Sequence, residues 1–503
     1  MSKLFNAIVL FFILGTSFCD GAPIQTSESG PAYKVDLSQS LTHYATIIME
    51  ADSTGPETQL MMATWTPGSY LVREYARHVD HISATDADGK SLPLEKISKN
   101  RWSVKTGDAK RFKLNYRLYC NEASVRTNSL GVSYAVLVGA ATFITVPEQL
   151  DRSHRVSLTL PKGWTESKSA MLPAGEEPNS YSAANFDELV DSPIVAGNVV
   201  TYPFEVAGVK HYLVNVNQTE GWDGEKAVAD LGKIVAEHHK VWGVVPYDRY
   251  YFLNVFSGTG GGLEHDNCCL MMSSKFDVRE EARYKSWLGL CSHEFFHTWN
   301  VRRLRPKALV KYNYEAETYT PSLWIAEGLT SYYEDLLVAR AGLLNQEEAI
   351  KNLAGQIGGV QRTEGRLVQS LRDSSHDAWI KFYRPAPNTG DTQISYYTKG
   401  AVVGFLLDMK IRSASHGAKS LDDVLRVFYE KFATTGYEPQ DFRSLCNEAA
   451  GEDLTEWFRI AVDSTEELDY QTAADWLGLK IGDFRPANFV EEEQKSPTDD
   501  AKA

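Results

Sequence analysis

The stretch Leu290-Cys-Ser-His-Glu-Phe-Phe-His-Thr-Trp299 sets two histidines four positions apart around a glutamate. On a helix of about 3.6 residues per turn, His293 and His297 share one face, while Glu294 points roughly 100° around the axis. Two imidazoles so placed can share a zinc ion. Glu294 then stands beside the metal, where it can take a proton from water activated there, the chemistry of amide hydrolysis. The pattern fixes only three residues, so its surroundings must agree with it. They do: Asp277 and Glu280 are spaced as a capping box, and Trp287, Leu288, Leu290 and Phe296 supply an apolar face. Cys291 points away from the imidazoles and reads as packing.

A catalytic zinc takes three protein ligands and keeps one position open. Downstream, Trp324-Ile-Ala-Glu-Gly-Leu-Thr-Ser-Tyr-Tyr-Glu334 places Glu327 among apolar neighbours, where an unpaired carboxylate is costly. Glu327 is therefore the expected third ligand, with an internal ion pair as the competing reading. Glu315 and Glu317 lie nearer in sequence but in a polar, loop-like stretch, and are expected to be solvated. His238 and His239 are adjacent, diverge on a helix, and make a poor metal pair.

The chain has 503 residues, enough for two or three cores, and a formal charge of −15. That charge argues against nucleic acid or an anionic membrane as the main partner. Lys3 and the apolar run Ala7–Leu14 read as a secretory signal, residues 1–22, too short to span a bilayer. No later run of about eighteen apolar residues follows, so stable membrane insertion is not expected after signal removal, and the protein is expected to be secreted or periplasmic. Cys120, Cys268, Cys269, Cys291 and Cys446 are odd in number and lack CxxC spacing, so no disulfide scaffold is expected.

The fold class expected is α+β. Residues 23–203 are rich in short alternating runs such as Arg111–Tyr119, and read as a β-rich domain. Residues 204–345 carry the motif and read as the catalytic domain: a helix through Val228, Leu231 and Val235, strands at Tyr250–Phe256 and Leu263–Met272, the motif helix, and a helix from Thr320 and Pro321 to Gly342. Residues 346–485 read as a helical region and 486–503 as a polar, disordered tail.

Four separated blocks, GGLEHD, HEFFHTWNVRRLRP, WIAEGLTSYYED and YYTKGAVVGFLLDMKIR, span Gly261 to Arg412. Together with DELVDSPIVAG at Asp187–Gly197, the chain resembles the glycyl aminopeptidase family of gluzincin zinc peptidases. The resemblance implies a thermolysin-like catalytic domain and one Zn2+, with His293, His297 and Glu327 as ligands and Glu294 as general base. It adds Tyr397, from the YxKG motif shared with aminopeptidase N relatives, as the hydrogen-bond donor to the oxyanion, with Tyr396 as the competing neighbour. It also adds Glu264, whose counterpart in those relatives binds the substrate's α-ammonium; His265 stands where they have asparagine. A peptide substrate is implied, cleaved at its first bond, with a preference for N-terminal glycine or alanine. An endopeptidase using the same metal, or a non-catalytic zinc protein, are the alternatives. Arg302, Arg303, Arg305 and Lys307 form a basic patch expected to serve structure rather than substrate.

Overall fold

In the computed structural model, which describes residues 29–275, 280–481 and 490–492, the alternating runs fold as strands whose two faces differ in burial. Along Arg111–Tyr119 the buried side chains are Phe112, Leu114, Tyr116 and Leu118, every second residue. This strand lies within an eight-stranded sheet, between Tyr44–Asp52 and Val79–Asp86, antiparallel to both. Ser29–Asp36 pairs parallel with Ser153–Thr159 in the same sheet. Two four-stranded sheets complete this half. Their inward side chains, among them Ile47, Met49, Leu60, Trp102 and Phe143, close one core, each such residue contributing about 1.5–3 kcal/mol by leaving water.

The other half opens with the hairpin β1 (Val199–Val206) and β2 (Val209–Val216), followed by helix α1 (Gly224–Trp242). Strands β3 (Arg249–Ser257), β4 (Gly261–Glu264) and β5 (Cys268–Ser274) come next. The five form one sheet in the order β1-β2-β3-β5-β4, parallel across β2, β3 and β5 and antiparallel at both edges. The boundary expected after residue 203 lies inside β1. The single strand expected over Leu263–Met272 is two: the turn-forming Asp266 and Asn267 reverse the chain, so β4 is the sheet's edge and Glu264 its last residue.

Side chains alternate across this sheet, and both of its faces are covered. Leu213, Phe252 and Met271 join the helical core, whereas Val214, Leu253 and Leu270 join the core of the β-rich half. A strand buried on both faces reads as a nearly continuous apolar run, as Tyr250–Phe256 does apart from Asn254.

The motif helix α2 spans Glu281–Phe296. Asp277, half of the expected capping box, lies outside the described residues, and the Glu280 side chain makes no cap hydrogen bond. The next helix does not start at Thr320. The Thr320 hydroxyl accepts the Ser322 N–H at 3.3 Å, holding a turn, and a π-turn at Trp324–Gly328 then leads into α3 (Leu329–Arg340). Gly342, at φ 72°, ends it as expected. Helices α4 (Gln346–Arg362), α5 (Thr398–Ala414), α6 (Leu421–Phe432) and α7 (Pro439–Ala450) form most of the remainder. The expected signal at 1–22 lies outside the described residues, as does the expected tail apart from 490–492. Among the described residues no helix is long and apolar enough to cross a membrane, and all five cysteines are buried free thiols.

Candidate active site

Residues His293 and His297 come from the last turn of α2 and its C-cap, with ring centroids 4.8 Å apart. Each ring is fixed through its Nδ1. His293 Nδ1 lies 2.6 Å from Glu334 Oε2 on α3, and His297 Nδ1 lies 2.7 Å from the Asn300 carbonyl. Both partners accept, so both Nδ1 atoms donate and both Nε2 atoms are left as lone-pair donors. The two Nε2 atoms converge on Glu327 Oε2, at 3.6 Å from His293 and 3.1 Å from His297.

Glu327 sits in the π-turn, two residues before α3. A π-turn shifts the backbone register and frees carbonyls. Those of Ile325 and Ala326 are taken by the Asn300 side-chain amide, at 2.8 and 3.1 Å, so the loop after the motif is stapled to the turn that carries the glutamate. Burial would raise the Glu327 carboxyl, but His297 and His293 hold it down at about 2. It is an anion facing two imidazole nitrogens. Nitrogen and oxygen ligands about 2.0–2.1 Å from one ion in a tetrahedral set lie roughly 3.3 Å apart, and the observed separations bracket that value. The three residues fit a metal ion, and the carboxylate on His293 is the usual support for a metal-binding imidazole.

Glu294 leaves α2 on the side facing β4. Its carboxylate packs so closely on Gly262 that a Cβ there would overlap it. Burial, together with the Glu264 and Glu327 charges, outweighs His293 and His297 and pushes Glu294 up to about 7. A carboxylate so poised can both take and return a proton near neutrality. Glu264 is also buried, at 3% exposure, and its Oε1 has no hydrogen-bond partner. Both carboxylate oxygens press on Gly68, where a Cβ would stand 2.5 Å from Oε2 and 2.6 Å from Oε1. Glu264 is thus enclosed, not a solvated strand end. Glu264, Glu294 and His297 also lie within 4.8 Å of one another, but His297 Nε2 is already directed at Glu327.

Tyr397 caps α5 and reaches the same cleft, its ring centroid 6.3 Å from that of His293. Burial, then the Glu327 charge, hold its hydroxyl well above the usual range, so it stays a donor. Tyr396 is fully buried, and its hydroxyl donates to Tyr383 at 3.3 Å behind the cleft wall. Of the two, Tyr397 lines the cleft, whose volume is about 430 Å³.

Two family profiles match the sequence: the Peptidase M61 N-terminal domain over residues 32–198 and M61 glycyl aminopeptidase over residues 286–403.

The chain belongs to the M61 glycyl aminopeptidase family.

Its fold superposes on that of an aminopeptidase N family protein from Idiomarina loihiensis with a TM-score of 0.86 at 29% identity, covering 90% of this chain and 79% of that one. An M1 zinc metallopeptidase mutant from Deinococcus radiodurans, bound to a Tyr-Ser-Ala substrate, superposes with a TM-score of 0.54 at 12% identity, over 88% of this chain and 94% of that one; this likeness is one of fold alone. A search of curated proteins finds no match. This M61 chain is a metallopeptidase, and so a hydrolase.

All six residues singled out in the M61 sequence meet at one cleft: His293, Glu294, His297, Glu327, Tyr397 and Glu264. Four more belong there that sequence reasoning passed over. Glu334 supports His293, and its spacing of two helical turns from Glu327 could have revealed it. Gly262 makes room for Glu294, Tyr383 bonds the Tyr397 hydroxyl at 3.1 Å, and Arg126 arrives from the β-rich half. Glu315 is not solvated as expected. Arg101 grips it through two bonds at 2.7 and 2.5 Å, with Asn100 at 2.9 Å, tying its loop to the β-rich half. The basic patch is structural: Arg302 pairs with Asp191 at 2.7 Å and Asp266 at 2.9 Å, and His265 Nδ1 meets Asp191 at 3.0 Å, which locks the β4–β5 turn against the DELVDSPIVAG segment. His238 bonds backbone carbonyls and His239 the Tyr247 hydroxyl, so neither forms a metal pair.

Proposed function

We propose that the protein is a zinc-dependent aminopeptidase that hydrolyses the first peptide bond of short peptides, with N-terminal glycine or alanine preferred. His293, His297 and Glu327 would hold the ion. When bound, zinc supplies Lewis acidity to the reacting carbonyl and to water. Glu294 takes the proton of the attacking water and returns it to the leaving amine, a role suited to a carboxylate titrating near 7. Tyr397, kept protonated, donates to the oxygen on which charge develops. Glu264 receives the substrate's α-ammonium.

The observation that carries this reading is the orphaned Glu264 Oε1, buried beside the reacting groups without a hydrogen-bond partner. A free amine would complete it, whereas an internal peptide segment would leave it unpaired, at a cost of about 1–3 kcal/mol or more. The size of the cleft supports short substrates, and the family's name supports the glycine or alanine preference. Reading residues 1–22 as a secretory signal, we place this activity outside the cytoplasm as part of the same proposal.

The test compares free and N-acetylated peptides with and without a chelator. Cleavage confined to free amines, lost on chelation and restored by Zn2+, is expected. Equal cleavage of acetylated peptides would rule out the aminopeptidase. Glu294→Gln should keep its metal, measured by elemental analysis, while losing turnover by 10³-fold or more; full activity in that variant would refute the mechanism.

A further inference from the structure

The cleft holds a cation that this reaction leaves unused. Arg126 Nη2 donates to the Gly262 carbonyl at 3.4 Å, and a Gly261 Cβ would stand 3.9 Å from its Nη1, so the guanidinium lies along the start of β4. Its Nε is buried without a hydrogen-bond partner. Among the described residues no carboxylate comes within 4.0 Å of the guanidinium, although most other arginines of the chain have one. Burial opposes its charge, and the Glu294 and Glu264 carboxylates help to sustain it. Arg126 lines the same cleft as the reacting groups and Glu264.

A guanidinium held this way is a fork without its anion. A planar guanidinium that lines a cleft with its Nε–H unpaired matches a carboxylate, the group such a fork binds best. Distance selects which carboxylate. From Glu264 to Gly262 is two residues along β4, roughly 7 Å at about 3.3 Å per residue. An extended dipeptide spans the same roughly 7 Å from its amine to its terminal carboxylate. We propose that Arg126 binds the terminal α-carboxylate of a dipeptide whose amine rests on Glu264, so that the enzyme prefers dipeptides over longer chains. This rests on the aminopeptidase reading above and adds a second anchor to it.

The experiment measures kcat/KM of the zinc-loaded enzyme on Gly-Ala, Gly-Ala amide, Gly-Ala-Ala and N-acetyl-Gly-Ala. Gly-Ala should exceed its amide and the tripeptide by about tenfold or more, the value of one charge-assisted contact. In Arg126→Gln, which retains a donor for the Gly262 carbonyl, the loss on Gly-Ala should exceed the loss on the amide by about tenfold, with Arg126→Lys between. Equal rates on acid and amide in the parent enzyme, or equal losses on both in Arg126→Gln, would overturn the proposal and leave Arg126 a positioning residue for β4. Cleavage of N-acetyl-Gly-Ala would instead refute the amine site while leaving the acid-to-amide ratio to decide Arg126. Should no dipeptide turn over, calorimetric binding of Gly-Ala and its amide to zinc-loaded Glu294→Gln protein decides the matter: equal affinities refute a carboxylate site.

Discussion

Gly262 fixes where the Glu294 carboxylate can stand, because any side chain there would occupy the same space. Gly262→Ala should swing the carboxylate off its line to the substrate and lower kcat by about a hundredfold, the usual cost of a misplacement near 1 Å. Thermal stability should change little, since the strain is relieved by one side chain at a cleft; a large drop in Tm would mean that β4 itself had moved. Glu334 acts one step further out, by orienting His293. Glu334→Gln exchanges a carboxylate for a neutral acceptor, so metal affinity should fall by about ten- to a hundredfold in a chelator competition, with the fold intact. Unchanged affinity would show that His293 needs no such support. The difference in legibility between these residues is physical. His293, His297 and Glu294 are readable because helical geometry alone brings them together, and Glu334 keeps a helical spacing that can be recognised. Arg126 and Gly262 meet only through packing of the two halves, for which no local pattern exists.

Helix α3 is positioned against α5 by two glycines, Gly328 at the end of the π-turn that leads into α3 and Gly400 on α5. A Cβ on Gly328 would stand 2.5 Å from the Gly400 Cα, and one on Gly400 would stand 2.7 Å from the Gly328 Cα, so the two backbones touch where the π-turn ends. Gly328 follows Glu327 directly, which makes this crossing the support of a candidate metal ligand. Gly400→Ala should cost about 1–3 kcal/mol as an overpacked contact, read from the denaturant midpoint, and should weaken metal binding with it. Stability lost without any change in metal affinity would separate the crossing from the site. The helices themselves could be read from their apolar period and from the stop at Gly342. The π-turn could not, because one inserted residue leaves the pattern of buried Trp324, Ile325 and Ala326 looking helical throughout. The β4–β5 hairpin was hidden for a related reason: Leu263 and the apolar Cys268–Met272 stand close enough in sequence to read as one strand.

At the scale of the whole molecule, the division into a β-rich half and a helical half was visible in the change of period, but the sheet that both cores share was not. A strand buried on two faces carries no alternation to show which neighbour each side chain meets. Both halves also contain buried, neutral histidines, and these set how the fold answers to acid. His154 sits in the β-rich half with no exposed surface; its Nδ1 donates to the Arg152 carbonyl at 2.9 Å, and its Nε2 accepts from the Thr145 hydroxyl at 3.3 Å. His211, on β2, is bonded likewise between the Val209 carbonyl and the Tyr247 hydroxyl. Burial pushes both down to about 4, against an ordinary value near 6.5. Between those two pH values the unfolded chain takes up a proton at each site that the folded chain refuses, so stability is present in full above about pH 6.5 and falls as pH drops toward 4. Each histidine accounts for about 3 kcal/mol of that fall. His154→Gln should therefore destabilise the protein clearly at pH 7.5 and much less at pH 4.5, as judged by denaturant unfolding at both. A cost that is the same at the two pH values would mean that the ring already carries its proton in the fold, and that the Thr145 hydroxyl is no donor to it.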